Sequence, residues 1–554
     1  MAKFTTLNRI RYSYIPAKSI ELNCELKSLI LKPAAAFSSI SRLSITLFIL
    51  DILGFTSGSN LWPSGTADFS LRFNSAGSNG PVGISGRGFN SHANEGKTPA
   101  SRIEGDIMLG GLFPLHEDGS AFGQHCGRLK TGRGIQRLEA LFYALDRINA
   151  DQTLLPNVTL GVLALDTCSM DTHALEQTLE FVKSSVTTNN AERYTCPSGG
   201  QPQYHPSKPT AIVIGAASSQ VSVMVANVLQ LFQIPQISYS STSAELSDKD
   251  RFEYFARVVP ADNFQVQAMV DIVESLGWTW ISAVLDEGNY GESGMETFKK
   301  LATEKKICIH HVEKVRRHHK SDDFNGLVRR LNMTQKDRNR SGPRGVIMFV
   351  NEDNIVKILK AVNFLGLNSY FAWVASDNWG QKRFPVSKNP NAANGAITLM
   401  PMRKVSQEFN NYFLNIDFAK NDRNYWSKEY LKITHHFICS NARNDGCTER
   451  KLRPRFYIQE SFVPFVIDAA YAAAYAIHKL LKNYCGNHYT RQCALNVPID
   501  GRELSNHVKN LSFISFQGDL VELDDKGDRR GRYYIYQFSA KQRKYNLVGQ
   551  WDER

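Results

Sequence analysis

The stretch DIMLGGLFPL (Asp106 to Leu115) and, after a polar connection, RGIQRLEALFYALDRINA (Arg133 to Ala150) decide how this chain folds. The first is a short apolar run of a length that suits one buried strand. In the second, Ile135, Leu138, Phe142, Leu145 and Ile148 recur at helical intervals and share one helix face. A strand feeding an amphipathic helix is one β-to-α step.

The step repeats downstream. The pattern predicts strand Leu160 to Leu165, helix His173 to Val186, strand Ala211 to Gly215, helix Ser219 to Leu231 and strand Gln236 to Ser240. A second series starts near Asp262 with helix Phe264 to Leu276, strand Thr279 to Leu285, helix Ser293 to Glu304 and strand Cys308 to Val312. Strands Gly345 to Phe349 and Tyr370 to Ala375 follow, and a helical pattern returns at Phe462 to Leu481. Such alternation implies an α/β fold of parallel sheets flanked by helices. A chain of 554 residues exceeds what one core serves, so two lobes are expected, with ligand-facing loops meeting in a cleft between them.

Ahead of Arg102, residues Gly58 to Ser101 are rich in Gly, Ser and Asn and read as a flexible lead-in. Leu43 to Phe55 (LSITLFILDILGF), preceded by Arg42, reads as a possible signal sequence and is short for a membrane span. Sequons at Asn157, Asn332, Asn339 and Asn510 suit glycosylation of an exported chain. Nine cysteines show no metal-binding spacing, and the close pairs Cys439 with Cys447 and Cys485 with Cys493 read as disulfide-closed loops. The net charge of +12 is scattered and lacks any nucleic-acid motif, so no nucleic-acid partner is expected.

Several strand-end loops carry groups suited to an amino acid. Ser218 and Ser219 open a helix, where backbone N–H groups and hydroxyls hold a carboxylate, although either serine serves equally as a helix cap. Ser241-Thr242-Ser243 is a second hydroxyl cluster at the same edge, or an ordinary polar turn. Asp262, Tyr290 and Asp377 follow strands of the second series and suit an ammonium group, the aspartates otherwise capping helices. Arg133 and Arg137 lie one helical turn apart, facing either an anion or solvent. Trp379 either walls the cleft or packs beside a turn. No catalytic motif is present, Gly96-Lys97-Thr98 lacks the first glycine and the setting of a phosphate loop, and no metal or cofactor is expected among the fourteen histidines.

The runs GGLFPLHEDG (Gly110 to Gly119), RGIQRLEALFYALDRINAD (Arg133 to Asp151), DTHALEQTLEFV (Asp171 to Val182), IPQISYSSTSAELSDKDRFEYFARVVPAD (Ile234 to Asp262) and WVASDNWG (Trp373 to Gly380) closely resemble metabotropic glutamate receptors, which are class C G-protein-coupled receptors. The resemblance covers about Arg102 to Trp551 and places the chain nearest the subgroup typified by receptors 2 and 3. It implies a two-lobed Venus flytrap similar to type I periplasmic binding proteins. The implied division is 1–101 as the N-terminal segment, 102–257 and 403–531 as lobe 1, and 258–402 and 532–554 as lobe 2.

Carried over position by position, the resemblance gives Ser219 and Thr242 to a ligand α-carboxylate. It gives Thr242, Asp262, Tyr290 and Asp377 to the α-ammonium, and Arg133 and Arg137 to the distal group. Phe462 stands where the family carries a lysine, Ala217 where near relatives carry serine and Asn378 where they carry glycine. An α-amino-acid clamp with altered side-chain preference follows, for glutamate or a related ligand. The resemblance further implies disulfides Cys126–Cys168, Cys439–Cys447 and Cys485–Cys493, and an intersubunit disulfide at Cys196 in a homodimer. Cys308 and Cys24 are left over. The expected role is amino-acid sensing, not catalysis, on the extracellular side of the plasma membrane. Coupling to a G protein would run through a transmembrane domain that this chain lacks; the alternative is a secreted or truncated amino-acid carrier or decoy.

Overall fold

Strand Ile107–Phe113 is buried at every residue, and helix Gly134–Ala150 packs behind it. The computed structural model describes residues 99–119, 123–186, 208–316, 319–332, 343–439 and 457–553. Among these, one sheet runs in the order Ala100–Ile103, Leu160–Asp166, Ile107–Phe113, Thr210–Ile214, Gln236–Ser238, Phe255–Pro260 and Asp528–Arg529. Every neighbouring pair is parallel except the first. The other sheet runs Cys308–Val315, Trp280–Asp286, Gly345–Phe349, Ala372–Ala375, Ile397–Pro401, Arg532–Ser539 and Lys544–Asp552, and only its last two pairings are antiparallel.

Both faces of each sheet are covered, which is what the continuous apolar strands require. Ile212 and Ile214 join the core beneath helices Gly134–Ala150 and Val463–Cys485, while Val213 between them joins the opposite core with Phe181 and Leu229. In the other sheet Val346 and Met348 face one way and Ile347 and Phe349 the other. Each such side chain contributes roughly 1.5–3 kcal/mol when removed from water, so either face alone is worth more than any surface ion pair. Alanines 469, 470, 472, 473, 474 and 476 are buried and let helix Val463–Cys485 lie close against helix Gly134–Ala150.

The chain passes between the sheets after Pro260, after Pro401, and between Arg529 and Arg532. Three irregular connections therefore join the two sheets.

Most strands and helices lie within two residues of their expected bounds. Helix Asn289–Glu304 starts four residues before Ser293, because Asn-Tyr-Gly-Glu-Ser-Gly reads as a turn while its glycines serve close packing. A Cβ on Gly291 would sit 2.2 Å from the Asp286 carbonyl oxygen, and one on Gly294 would sit 2.9 Å from the Phe349 ring. Strand Ala100–Ile103 pairs antiparallel with Leu160–Asp166, so ordered pairing begins two residues ahead of Arg102. Strand Cys308–Val315 runs three residues past Val312.

Disulfides join Cys126 to Cys168 and Cys485 to Cys493. Cys308 is disulfide-bonded, which corrects its reading as a leftover thiol. Cys24, Cys196, Cys447 and the side chain of Cys439 lie outside what is described, as do Asn339, the Leu43 to Phe55 run and nearly all of the lead-in. Asn157 and Asn510 are exposed and Asn332 is half-buried. Among the described residues no helix is long and apolar enough to cross a membrane.

Candidate ligand-binding site

On the first-sheet side the hydroxyl loops are held by buried bonds. Ser218 caps helix Ser219–Leu229, its hydroxyl accepting from the Val221 N–H at 3.4 Å. Ser219 is free of that duty, and its Oγ accepts from the Ser243 N–H at 3.1 Å. Ser218 therefore takes the capping role that the sequence left open between the two serines. Beneath the second loop the fully buried Arg257 pairs with Asp528 at 2.8 Å and donates to the Ser241 and Ser243 carbonyls at 3.3 and 2.8 Å. Ser241 bonds Ser222 Oγ at 2.7 Å. Thr242 stands between these anchors, and its carbonyl accepts from the Asp262 N–H at 2.7 Å.

Asp262 opens helix Asp262–Ser275 at the first crossing, with Ala261 at the cap position, so it is not a capping residue. Gln265, one turn on, was missed in the sequence. Its Nε2 donates to Asp262 Oδ1 at 2.8 Å while its Oε1 accepts from the Asp377 N–H at 2.6 Å. The Tyr290 hydroxyl donates to Asp377 Oδ1 at 2.9 Å. One amide thus ties both aspartates, one by its carboxylate and one by its backbone N–H, into a network with the phenol, although the three sequence-predicted residues come from segments more than a hundred positions apart at their extremes.

That network brings two buried carboxyl groups together, each with its proton affinity raised. Asp262 Oδ2 is buried with no hydrogen-bond partner. Burial, then the charge of Asp377, pushes the Asp262 carboxyl up to about 8. Burial also raises Asp377, against the pull of Lys382 and the Tyr290 hydrogen bond. Burial raises the Tyr290 phenol well above its ordinary value. Such a pocket has the chemistry to accept a cationic group.

The distal end is cationic. Arg137 is buried and bonds both oxygens of Glu460, at 3.1 and 2.8 Å. Burial alone would raise Glu460, and Arg137 outweighs it and holds the carboxyl below its ordinary value. Arg133 pairs with Glu352 of the second-sheet lobe and lies 3.5 Å from Asp353, bridging the cleft. Neither arginine is a solvated face. Lys382, five residues past Asp377 and also unrecognised in the sequence, is 3.6 Å from Glu352, and burial lowers its amine to about 8.

Phe462 is 2 % exposed and sits among these cations. Arg137 is 5.0 Å and Lys382 5.5 Å from its ring centroid, so its π-face receives two charges that a lysine there would repel. Trp379 is fully buried in the second-sheet core and donates to the Tyr545 hydroxyl at 2.9 Å, which decides for its reading as a packing residue beside a turn. Lys382 had a weak local signal, a basic residue five positions beyond Asp377. Gln265, Glu352 and Glu460 had none stronger than their residue type.

Residues 136–541 match the receptor family ligand binding region. The chain belongs to that family. Within it, the chain is 44% identical over 464 residues to metabotropic glutamate receptor 8 of Rattus norvegicus, covering 81% of this chain and 50% of the relative. It is 42% identical over 463 residues to metabotropic glutamate receptor 4 of Rattus norvegicus, with 82% and 50% covered. It is 43% identical over 472 residues to metabotropic glutamate receptor 6 of Oryctolagus cuniculus, with 82% and 53% covered. The chain spans about half the length of these curated relatives and is homologous to their extracellular ligand-binding region. Its relatives are receptors, not enzymes. The placement beside receptors 2 and 3 is corrected to receptors 8, 4 and 6: short runs shared across the family carry no subgroup information.

Proposed function

We propose that the cleft binds an α-amino acid with an acidic side chain, glutamate or a close relative, and that ligand-stabilised lobe closure is the extracellular input of a metabotropic-glutamate-type receptor. The α-carboxylate meets Ser219 and Thr242, and the ammonium meets Thr242, Asp262, Tyr290 and Asp377. Arg133, Arg137 and Lys382 face the distal acid, and Phe462 lines that end.

The observation that carries this reading is the charge of the distal pocket. Arg133, Arg137 and Lys382 gather at this end with the buried carboxylates Glu352 and Glu460, a cluster whose cations suit an anionic group. At the other end a buried carboxylate oxygen has no partner, which suits one ammonium. Contacts made to both lobes favour the closed form by their difference between states. Homodimerisation through Cys196, a plasma-membrane location and G-protein coupling through a transmembrane region belong to the same proposal, supported by the relatives' identity as receptors.

The test is a thermal-shift panel of common L-amino acids against the wild-type chain, Thr242→Ala and Asp377→Asn. Acidic amino acids stabilise the wild type and lose their effect in both variants. Stabilisation that survives both substitutions would place the ligand elsewhere. For the dimer, the 62.3 kDa chain runs at twice its mass without reductant, and Cys196→Ser removes that band; a monomer without reductant would sink that part alone.

A further inference from the structure

His125, His173 and Glu176 come together beside the Cys126–Cys168 disulfide. His173 and Glu176 are three apart on helix Asp171–Val186 and so share a face. His173 Nδ1 lies 3.5 Å from Glu176 Oε2. The rings of His125 and His173 are 5.8 Å apart between centroids and tilted by 37°. One ligand atom from each of the three lies within 4.8 Å of the other two. His173 Nδ1 is buried and makes no hydrogen bond, a cost that a metal bond would remove.

The segments that carry these groups are already fastened together. Cys126, adjacent to His125, is bonded to Cys168, five residues before His173. Both sulfurs are consumed by that bond, so the nearby grouping of Cys126, Cys168 and His173 supplies one metal ligand, not three. The disulfide holds the loop of His125 against the helix of His173 and Glu176, which lowers the ordering cost of binding.

We propose that His125, His173 and Glu176 form a binding site for a divalent transition metal ion, zinc above all. Two imidazoles and a carboxylate are a borderline-soft set that suits zinc and not magnesium or calcium. Bonds of about 2.0–2.2 Å to a tetrahedral ion place ligand atoms about 3.4 Å apart. The His173–Glu176 pair has that spacing already. The exposed His125 side chain closes the remainder by a small rotation, leaving the fourth position to water or a small anion. None of the three belongs to the proposed amino-acid clamp, and no amino acid is needed to fill the site.

The test is a titration of zinc chloride into the purified, tag-free, disulfide-intact chain, followed by calorimetry without amino acid present, with His125→Ala, His173→Gln and Glu176→Gln as variants and thermal melting as the folding control. The wild type binds one zinc ion with a dissociation constant in the micromolar range, each variant that melts normally weakens this at least tenfold, and magnesium does not compete. Cobalt in place of zinc gives a tetrahedral d–d band without thiolate charge transfer. Zinc affinity unchanged in His125→Ala and Glu176→Gln would overturn the site. So would binding that appears only after the disulfide is reduced, since the ligands would then be Cys126 and Cys168.

Discussion

At the scale of single residues, two buried groups of opposite sign sit near the same proton affinity. Asp262 is pushed up to about 8 by burial and by Asp377, and Lys382 is lowered to about 8 by burial. A ligand ammonium needs Asp262 charged, which favours high pH; a ligand carboxylate needs Lys382 charged, which favours low pH. Affinity for an acidic amino acid is therefore expected to peak near pH 8, as read by calorimetry across pH. Asp262→Asn flattens the acid limb and Lys382→Gln the alkaline limb; limbs unchanged in both variants would refute the assignments. Stability follows the sign of the Asp262 shift. A carboxyl raised above its ordinary value of about 4 stabilises the ligand-free fold fully below that value and loses the contribution as pH rises through about 8. The melting temperature of the ligand-free chain is expected to fall over that window, and less steeply in Asp262→Asn.

At the scale of elements, the strand-to-helix alternation was legible because each strand is a continuous apolar run and each helix keeps an apolar stripe. The partners inside the site were not. Arg137 meets Glu460 across 323 positions, Arg133 meets Glu352 on the other lobe, and Gln265 joins Asp377 across 112. No local pattern encodes such pairings, so the arginines were visible while their carboxylates and Lys382 were not. Helix Gly134–Ala150 offers a test at this scale. Gly134 lies between the two cleft arginines, and a Cβ there would meet the Leu115 Cα at 2.6 Å and the Pro114 carbonyl oxygen at 2.9 Å. Alanine is favoured over glycine within helices by about 1 kcal/mol, yet Gly134→Ala is expected to push the helix start outward and carry Arg133 and Arg137 with it. Acidic-ligand affinity then falls at least tenfold in a binding assay; unchanged affinity would show that the helix start absorbs the methyl group.

At the scale of the whole molecule, both lobes contribute to one charge balance. In the proposed binding mode Glu352 gives Arg133 and Lys382 a carboxylate in place of the ligand's, so it would compete with the distal acid. Glu352→Gln is expected to tighten glutamate binding about tenfold, or about 1.4 kcal/mol. A weaker variant would mean that Glu352 acts chiefly by holding the lobes together. The departure at Phe462 belongs to the same balance, since an aromatic ring lets two cations approach where a lysine would add a further charge. The central claim is that the distal pocket selects an acidic side chain, and calorimetric titration of the full chain at pH 7.5 with L-glutamate and with L-glutamine tests it most directly. Glutamate is expected to bind at one site at least about 100-fold more tightly, since the amide cannot pair with the cations of the pocket. Equal affinity, or tighter binding of glutamine, would contradict the charge assignment of the pocket.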